Sequence, residues 1–129
     1  SRYVIDLNRP ADGAPLYPGS SETELCPTTT FDFKPLYLSG REPDSAQIQS
    51  RVQTYWQPYH TMLFREITRL KALHGYVVVW HAHSIKSEEG RFFDGVLPDL
   101  NLGSGRTPSC DDRLSTSLVD LLATFDDFS

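Results

Sequence analysis

The chain lacks any apolar run long enough to span a bilayer, and no charged-then-apolar leader opens it. A membrane is therefore not an expected partner. Basic charge is also scarce. Twelve Lys and Arg stand against 17 Asp and Glu, for a net charge of -5, and the basic residues are scattered along the chain. Binding a phosphate backbone needs concentrated Lys and Arg, so nucleic acid is not expected either. Cysteine occurs twice, at Cys26 and Cys110. Two thiols so far apart make neither a disulfide framework nor a CxxC metal knuckle; they read as small buried hydrophobes in a reducing cytoplasm. Internal repeats, low-complexity tracts and linkers are absent too. "LGSG", Leu102 to Gly105, lacks the Lys and Ser/Thr of a phosphate loop. Ser84 and Ser109 lie in no nucleophile elbow, and nothing around Cys110 argues for a lowered pKa.

What is present suits one α/β domain spanning residues 1–129, long enough to bury a hydrophobic core. "RYVIDL", Arg2 to Leu7, is rich in β-branched and aromatic residues and reads as a strand stopped by Pro10. A loop follows, with a turn at Tyr17-Pro18-Gly19. "ELCPTTTFDFKPLYLSG" is broken by Pro27 and Pro35 and reads as irregular with one edge strand at most. A long helix is expected from Asp44, with Gln47 completing a capping box and Gly75 ending it. Ile48, Val52, Tyr55, Tyr59, Leu63, Ile67 and Leu70 form its apolar stripe, and Pro58 should bend it. "YVVVW", Tyr76 to Trp80, reads as a central strand covered on both faces. A second strand is expected at Gly95 to Leu102. A last helix over "RLSTSLVDLLATF" carries Leu114, Leu118, Leu121, Leu122 and Phe125 on one side. The expected fold is a largely parallel or mixed central sheet flanked by helices. The chain starts inside one such element and stops in another, so a segment of a longer protein is expected.

Ligands of open α/β sheets gather beyond the carboxyl ends of strands. His81 and His83 follow the Tyr76–Trp80 run, and residues two apart on an extended chain project to the same side. Imidazole is a good zinc ligand, and an enzyme site commonly joins three protein ligands with an open position for water. The alternative is that one imidazole satisfies a carbonyl and the other faces solvent. "DLNRP", Asp6 to Pro10, is the second candidate site. Arg9 could hold a carboxylate through two parallel hydrogen bonds, with an amide bond from Asn8. A surface salt bridge or an Asn-stabilised turn is the competing reading. His60 and His74 read as solvated or capping; Trp56, Tyr55 and Tyr59 read as core packing.

Taken in order, "RYVIDLNRP", "LYPG", "LCPTTTFD", "PLY", "YWQPYH", "HGYVVVWHAHSIKS", "FFDGVLPDLNLG" and "SC" resemble the N-formylglutamate deformylase (N-formylglutamate amidohydrolase) family over nearly the whole chain. The resemblance implies zinc-dependent hydrolysis of N-formyl-L-glutamate to formate and L-glutamate in bacterial histidine degradation. It also implies a zinc-carboxypeptidase-like sheet, incomplete at both ends. Within "AHS" it places a zinc ligand on His83. The family tends to carry an aspartate where this chain has His81, whose role stays open between a supporting group, an extra ligand and none. By similarity to the "NR" pair of zinc carboxypeptidases, Asn8 and Arg9 should hold a substrate carboxylate, with Arg2 a further candidate. The family's remaining zinc ligands and its catalytic glutamate are expected outside this chain. Related readings are an amidase acting on another N-acyl amino acid, and a catalytically inactive α/β fragment that associates with itself.

Overall fold

The computed structural model describes residues 1–12, 14, 23–90, 92–103 and 110–125. The expected turn at Tyr17-Pro18-Gly19 lies outside the described residues, as do Ser104 and Gly105 of the glycine-serine turn, and Ser109. The chain divides into two compact units, Ser1–Ala82 and His83–Ser129.

In the first unit the dominant element is helical. Asp44 accepts a hydrogen bond from the Gln47 amide at 2.8 Å, and Gln47 Oε1 accepts from the Asp44 amide at 3.2 Å. This reciprocal box satisfies two donors that a helix start leaves without partners. Helix α1 runs Ser45–Arg51, a π-helical turn covers Val52–Trp56, and α2 covers Gln57–His74. Gly75 ends the run with φ of 79°, its N–H bonded to the Lys71 carbonyl.

Just before Pro58, where a bend is expected, the helix carries the π turn. Proline has no N–H to offer the Thr54 carbonyl four residues back, and its ring crowds that carbonyl. The turn just before Pro58 is wider, closed by the Gln57 N–H on the Val52 carbonyl five residues back. The widening has a second effect. In a regular α-helix a strict four-residue series drifts around the axis by about 40° per step. The wide turn takes up that drift, so Ile48, Val52 and Trp56 all pack on the small core of Ile5, Leu25 and Cys26, together with Leu7. Tyr55 and Tyr59, expected on the buried stripe, are 52% and 42% exposed instead.

Three expected strands, at residues 2–7, 76–80 and 95–102, do not form. Among the described residues there is no strand and no sheet, only an isolated antiparallel bridge between Thr29 and Pro35. The expected central sheet flanked by helices, zinc-carboxypeptidase-like in plan, is therefore not the architecture of the described residues. Residues 2–7 fold into turns. The Val4 amide bonds back to the Ser1 carbonyl at 2.9 Å, and the Arg9 amide to the Asp6 carbonyl at 3.1 Å. Only the Asp6 amide reaches another segment, at the Leu25 carbonyl, 2.7 Å away. Asp6 explains the difference, because its side chain caps a nearby amide and so offers the backbone a local alternative to a ladder. In Tyr76–Trp80 the side chains of Tyr76, Val78, Val79 and Trp80 are all more than half exposed. Strand preference expresses fit to a pleated, half-buried surface, and no such surface is supplied there. The 95–102 stretch holds one long backbone bond, Leu97 N–H to the Ser87 carbonyl at 2.8 Å, and no ladder.

The second unit carries α3, Asp112–Leu122, capped by Asp111 through the Arg113 amide. Of the residues expected on its apolar side, Leu118 and Leu122 are half-buried, while Leu114, Leu121 and Phe125 are exposed.

Candidate functional site

The turn at Asp6–Arg9 is the best-organised polar feature of the first unit. Its chemistry starts with Asp6, which is 5% exposed although it is a carboxylate. A buried carboxylate needs donors on its oxygens. Oδ1 accepts from the Asn8 amide at 3.0 Å and Oδ2 from Arg2 Nη2 at 2.9 Å. Thr23, equally buried, accepts on Oγ1 from Arg2 Nη2 at 3.1 Å and from Arg9 Nη2 at 3.2 Å. Arg9 Nε adds a bond to the Thr23 carbonyl at 3.0 Å. One hydroxyl thus holds two guanidinium groups side by side. Among the described residues bonded in this network, two guanidinium groups meet one carboxylate.

Beside the network lies a cleft of about 460 Å³, lined on its polar side by Arg2, Asp6 and Asn8 and on its apolar side by Val4, Ile5, Leu7 and Tyr55. Arg2 also lies over the Phe31 ring, 4.6 Å from the centroid. Arg9 does not line the cleft. Among the described residues its Nη1 and the Asn8 carboxamide carry no hydrogen bond, so both keep donor capacity.

The helix supports the turn from behind. Arg51 Nη1 donates to the Val4 carbonyl at 2.9 Å, Trp56 Nε1 to the Arg9 carbonyl at 2.8 Å, and His60 Nε2 lies 2.8 Å from the Leu7 carbonyl. A carbonyl only accepts, so the His60 nitrogen facing it carries the proton. The bond to the Tyr37 hydroxyl raises the Arg51 pKa further above its ordinary value. Burial raises the nearby Cys26 thiol, against the opposing pull of its hydrogen bond to Arg51.

The N-formylglutamate amidohydrolase family profile matches residues 1–129. The chain belongs to this family. It is 44% identical over 129 residues to N-formylglutamate deformylase of Pseudomonas aeruginosa, covering 100% of this chain and 48% of that protein. It is 45% identical over 123 residues to N-formylglutamate deformylase of Pseudomonas putida, covering 95% of this chain and 46% of that one. The chain therefore spans about half the length of these curated relatives. No solved structure matches it.

Against this N-formylglutamate amidohydrolase background, the sequence-predicted residues fall into two groups. Arg2, Asn8 and Arg9 come together around Thr23 and Asp6 in the first unit. His81 lies one residue before the end of that unit and His83 opens the second; both are exposed, and each has an interaction partner. Among the described residues no three or more His, Cys, Asp or Glu are grouped to hold a metal ion. Thr23, Trp56 and His60 were missed as site residues. A hydroxyl shared by two arginines has no local signature. Trp56 and His60 did have one, being polar-tipped rings four apart on either side of a helix proline.

Proposed function

We propose that this chain supplies the carboxylate clamp of an enzyme that hydrolyses N-formyl-L-glutamate to formate and L-glutamate. Membership of the N-formylglutamate amidohydrolase family and two relatives named N-formylglutamate deformylase support the reaction. The observation that carries the clamp is the pair of guanidinium groups on Thr23 beside Asn8. A dicarboxylate small molecule is the ligand chemistry such a site favours.

Within this reading Asn8 and Arg9 orient the substrate. Nη1 of Arg9 and the Asn8 carboxamide offer donors to one carboxylate, while Arg2 lines the cleft. Holding the glutamate skeleton fixes where its formamide lies, which is the entropic part of catalysis. An amide lacking that carboxylate would leave donors unpaired, and the discrimination follows from that penalty. Water adds to the formyl carbon, the C–N bond breaks, and the amine leaves with a proton. Zinc would supply Lewis acidity and a bound water of lowered pKa. His83, with His81 as the further candidate, would contribute imidazole donors to it; the described residues add no third donor. Two free thiols, Cys26 and Cys110, suit a cytoplasmic setting. No described helix is long and apolar enough to cross a membrane.

The test uses a protein of the relatives' full length that carries this chain. Formate release from N-formyl-L-glutamate should exceed acyl release from the N-acetyl and N-succinyl analogues. Arg9→Ala should raise KM by roughly tenfold or more if the ion pair forms away from water. Equal turnover of a larger acyl group would replace the deformylase reading with another amidase. An unchanged KM and kcat in Arg9→Ala would remove Arg9 from the clamp.

A further inference from the structure

The helix segment "YWQPYH" takes no part in the clamp as described so far, yet it touches the clamp's backbone at two points. Trp56 donates to the Arg9 carbonyl and His60 to the Leu7 carbonyl, both at 2.8 Å. These two carbonyls flank Asn8. Among the described residues neither accepts a backbone amide. They are acceptors that the turn itself leaves unsatisfied, and the helix satisfies them.

The consequence is geometric. The peptide unit joining Leu7 to Asn8 is held at its oxygen by His60 and at its N–H by Asp6 Oδ1. The Arg9 amide is held by the Asp6 carbonyl, and the Arg9 carbonyl by Trp56. Each of the three peptide units around Asn8 and Arg9 is therefore held by at least one hydrogen bond. The two pinning side chains brace each other. Their ring centroids are 3.9 Å apart, and Tyr59 meets His60 edge-on at 5.1 Å. The π turn matters here, because a π turn inside a helix resets which residues share a face. Through it Trp56 packs on the core beside Ile48 and Val52, and His60 follows one turn on.

We propose that Trp56 and His60 are positioning residues of the carboxylate clamp. By taking the Arg9 and Leu7 carbonyls as acceptors, they fix the Asn8 carboxamide at the cleft and the Arg9 guanidinium beside it. The proposal rests on the clamp reading above. It assigns specificity to a helix that contributes no group to the substrate.

The experiment compares N-formyl-L-glutamate with its two monoamides as substrates of the full-length protein, in wild type and in Trp56→Phe, His60→Leu and His60→Gln. Wild type should prefer the diacid over at least one monoamide. Trp56→Phe keeps the ring and loses the donor; His60→Leu loses the donor; His60→Gln keeps one. Loss of either donor should raise KM for the diacid roughly tenfold while kcat changes less. Turnover of the disfavoured monoamide should hold, so that the preference narrows. His60→Gln should recover most of the preference. If diacid and monoamide turnover fall by the same factor, the two residues only support the fold and the proposal is overturned. If wild type shows no preference for the diacid, the clamp itself fails, and that result is distinct from failure of the pinning. Should His60→Leu not fold, Trp56→Phe carries the test, since its ring still fills the contact with the core.

Discussion

Thr23 has one hydroxyl oxygen, and two guanidinium groups donate to it. That arithmetic makes the residue irreplaceable by a side chain of equal shape. Valine matches its volume but offers no acceptor, so Thr23→Val would leave Nη2 of Arg9 without this bond and weaken the hold on Arg2. Donors left unsatisfied in part-buried surroundings cost about 1–3 kcal/mol. Urea denaturation should show a loss of that order in Thr23→Val and near wild-type stability in Thr23→Ser, which keeps the hydroxyl. Equal stability of the valine variant and wild type would mean that solvent replaces the hydroxyl and that the two arginines are not tied together by it. The same residue shows why the site was only half legible in sequence. Arg2, Asn8 and Arg9 lie within eight residues; Asn8 and Arg9 are legible as a candidate clamp in "DLNRP", and Arg2 enters only through the family resemblance. Thr23 joins them from 14 residues past Arg9, and nothing in a single threonine between glutamates announces an arginine partner.

At the scale of the elements, local signals held and non-local ones did not. The capping box at Asp44 and the left-handed glycine at Gly75 involve partners within four residues, so the helix ends are legible before any tertiary contact exists. Each can be tested by its own loss. Asp44→Ala removes the acceptor for the Gln47 amide and should cost about 1 kcal/mol. Gly75→Ala adds a Cβ that meets nothing within 4 Å, so its cost is purely that of φ at 79°, about 1–2 kcal/mol. Chemical denaturation followed by helical circular dichroism measures both. A cost near zero for Gly75→Ala would show that the helix end relaxes out of the left-handed conformation. The stripe and the strands failed for a different reason. Trp56, Tyr55 and Tyr59 were all expected in the core; with the π turn before Pro58, Trp56 packs there while Tyr55 and Tyr59 stay exposed. Tyr76–Trp80 has the composition of a strand, but a strand exists only where a neighbour supplies matching donors and acceptors. Composition reports the preference and not the partner.

At the scale of the whole chain, stability is distributed unevenly. In the first unit the buried hydrophobics Ile5, Leu25 and Cys26 sit beneath the helix, and burial of each apolar side chain contributes on the order of 1.5–3 kcal/mol. Three side chain–backbone bonds, from Arg51, Trp56 and His60, then tie the helix to Val4, Arg9 and Leu7 across sequence separations of 47, 47 and 53 residues. Bonds of that span form only once the intervening chain is closed, so the turn and the helix should gain and lose structure together. The second unit has no buried residue in α3, whose amphipathic face is half-buried at best. Native-state hydrogen exchange separates these cases. Amides of Asp6, Arg9 and α2 from Tyr59 onward should exchange most slowly, with opening free energies that converge on one value as denaturant is added. Amides of α3 should exchange sooner and with their own dependence. Protection of α3 equal to that of α2 would mean that the second unit shares in the cooperative core. Exchange of Arg9 much faster than that of α2 would mean that the clamp opens while the helix stays formed, and pinning by Trp56 would then be too weak to position it.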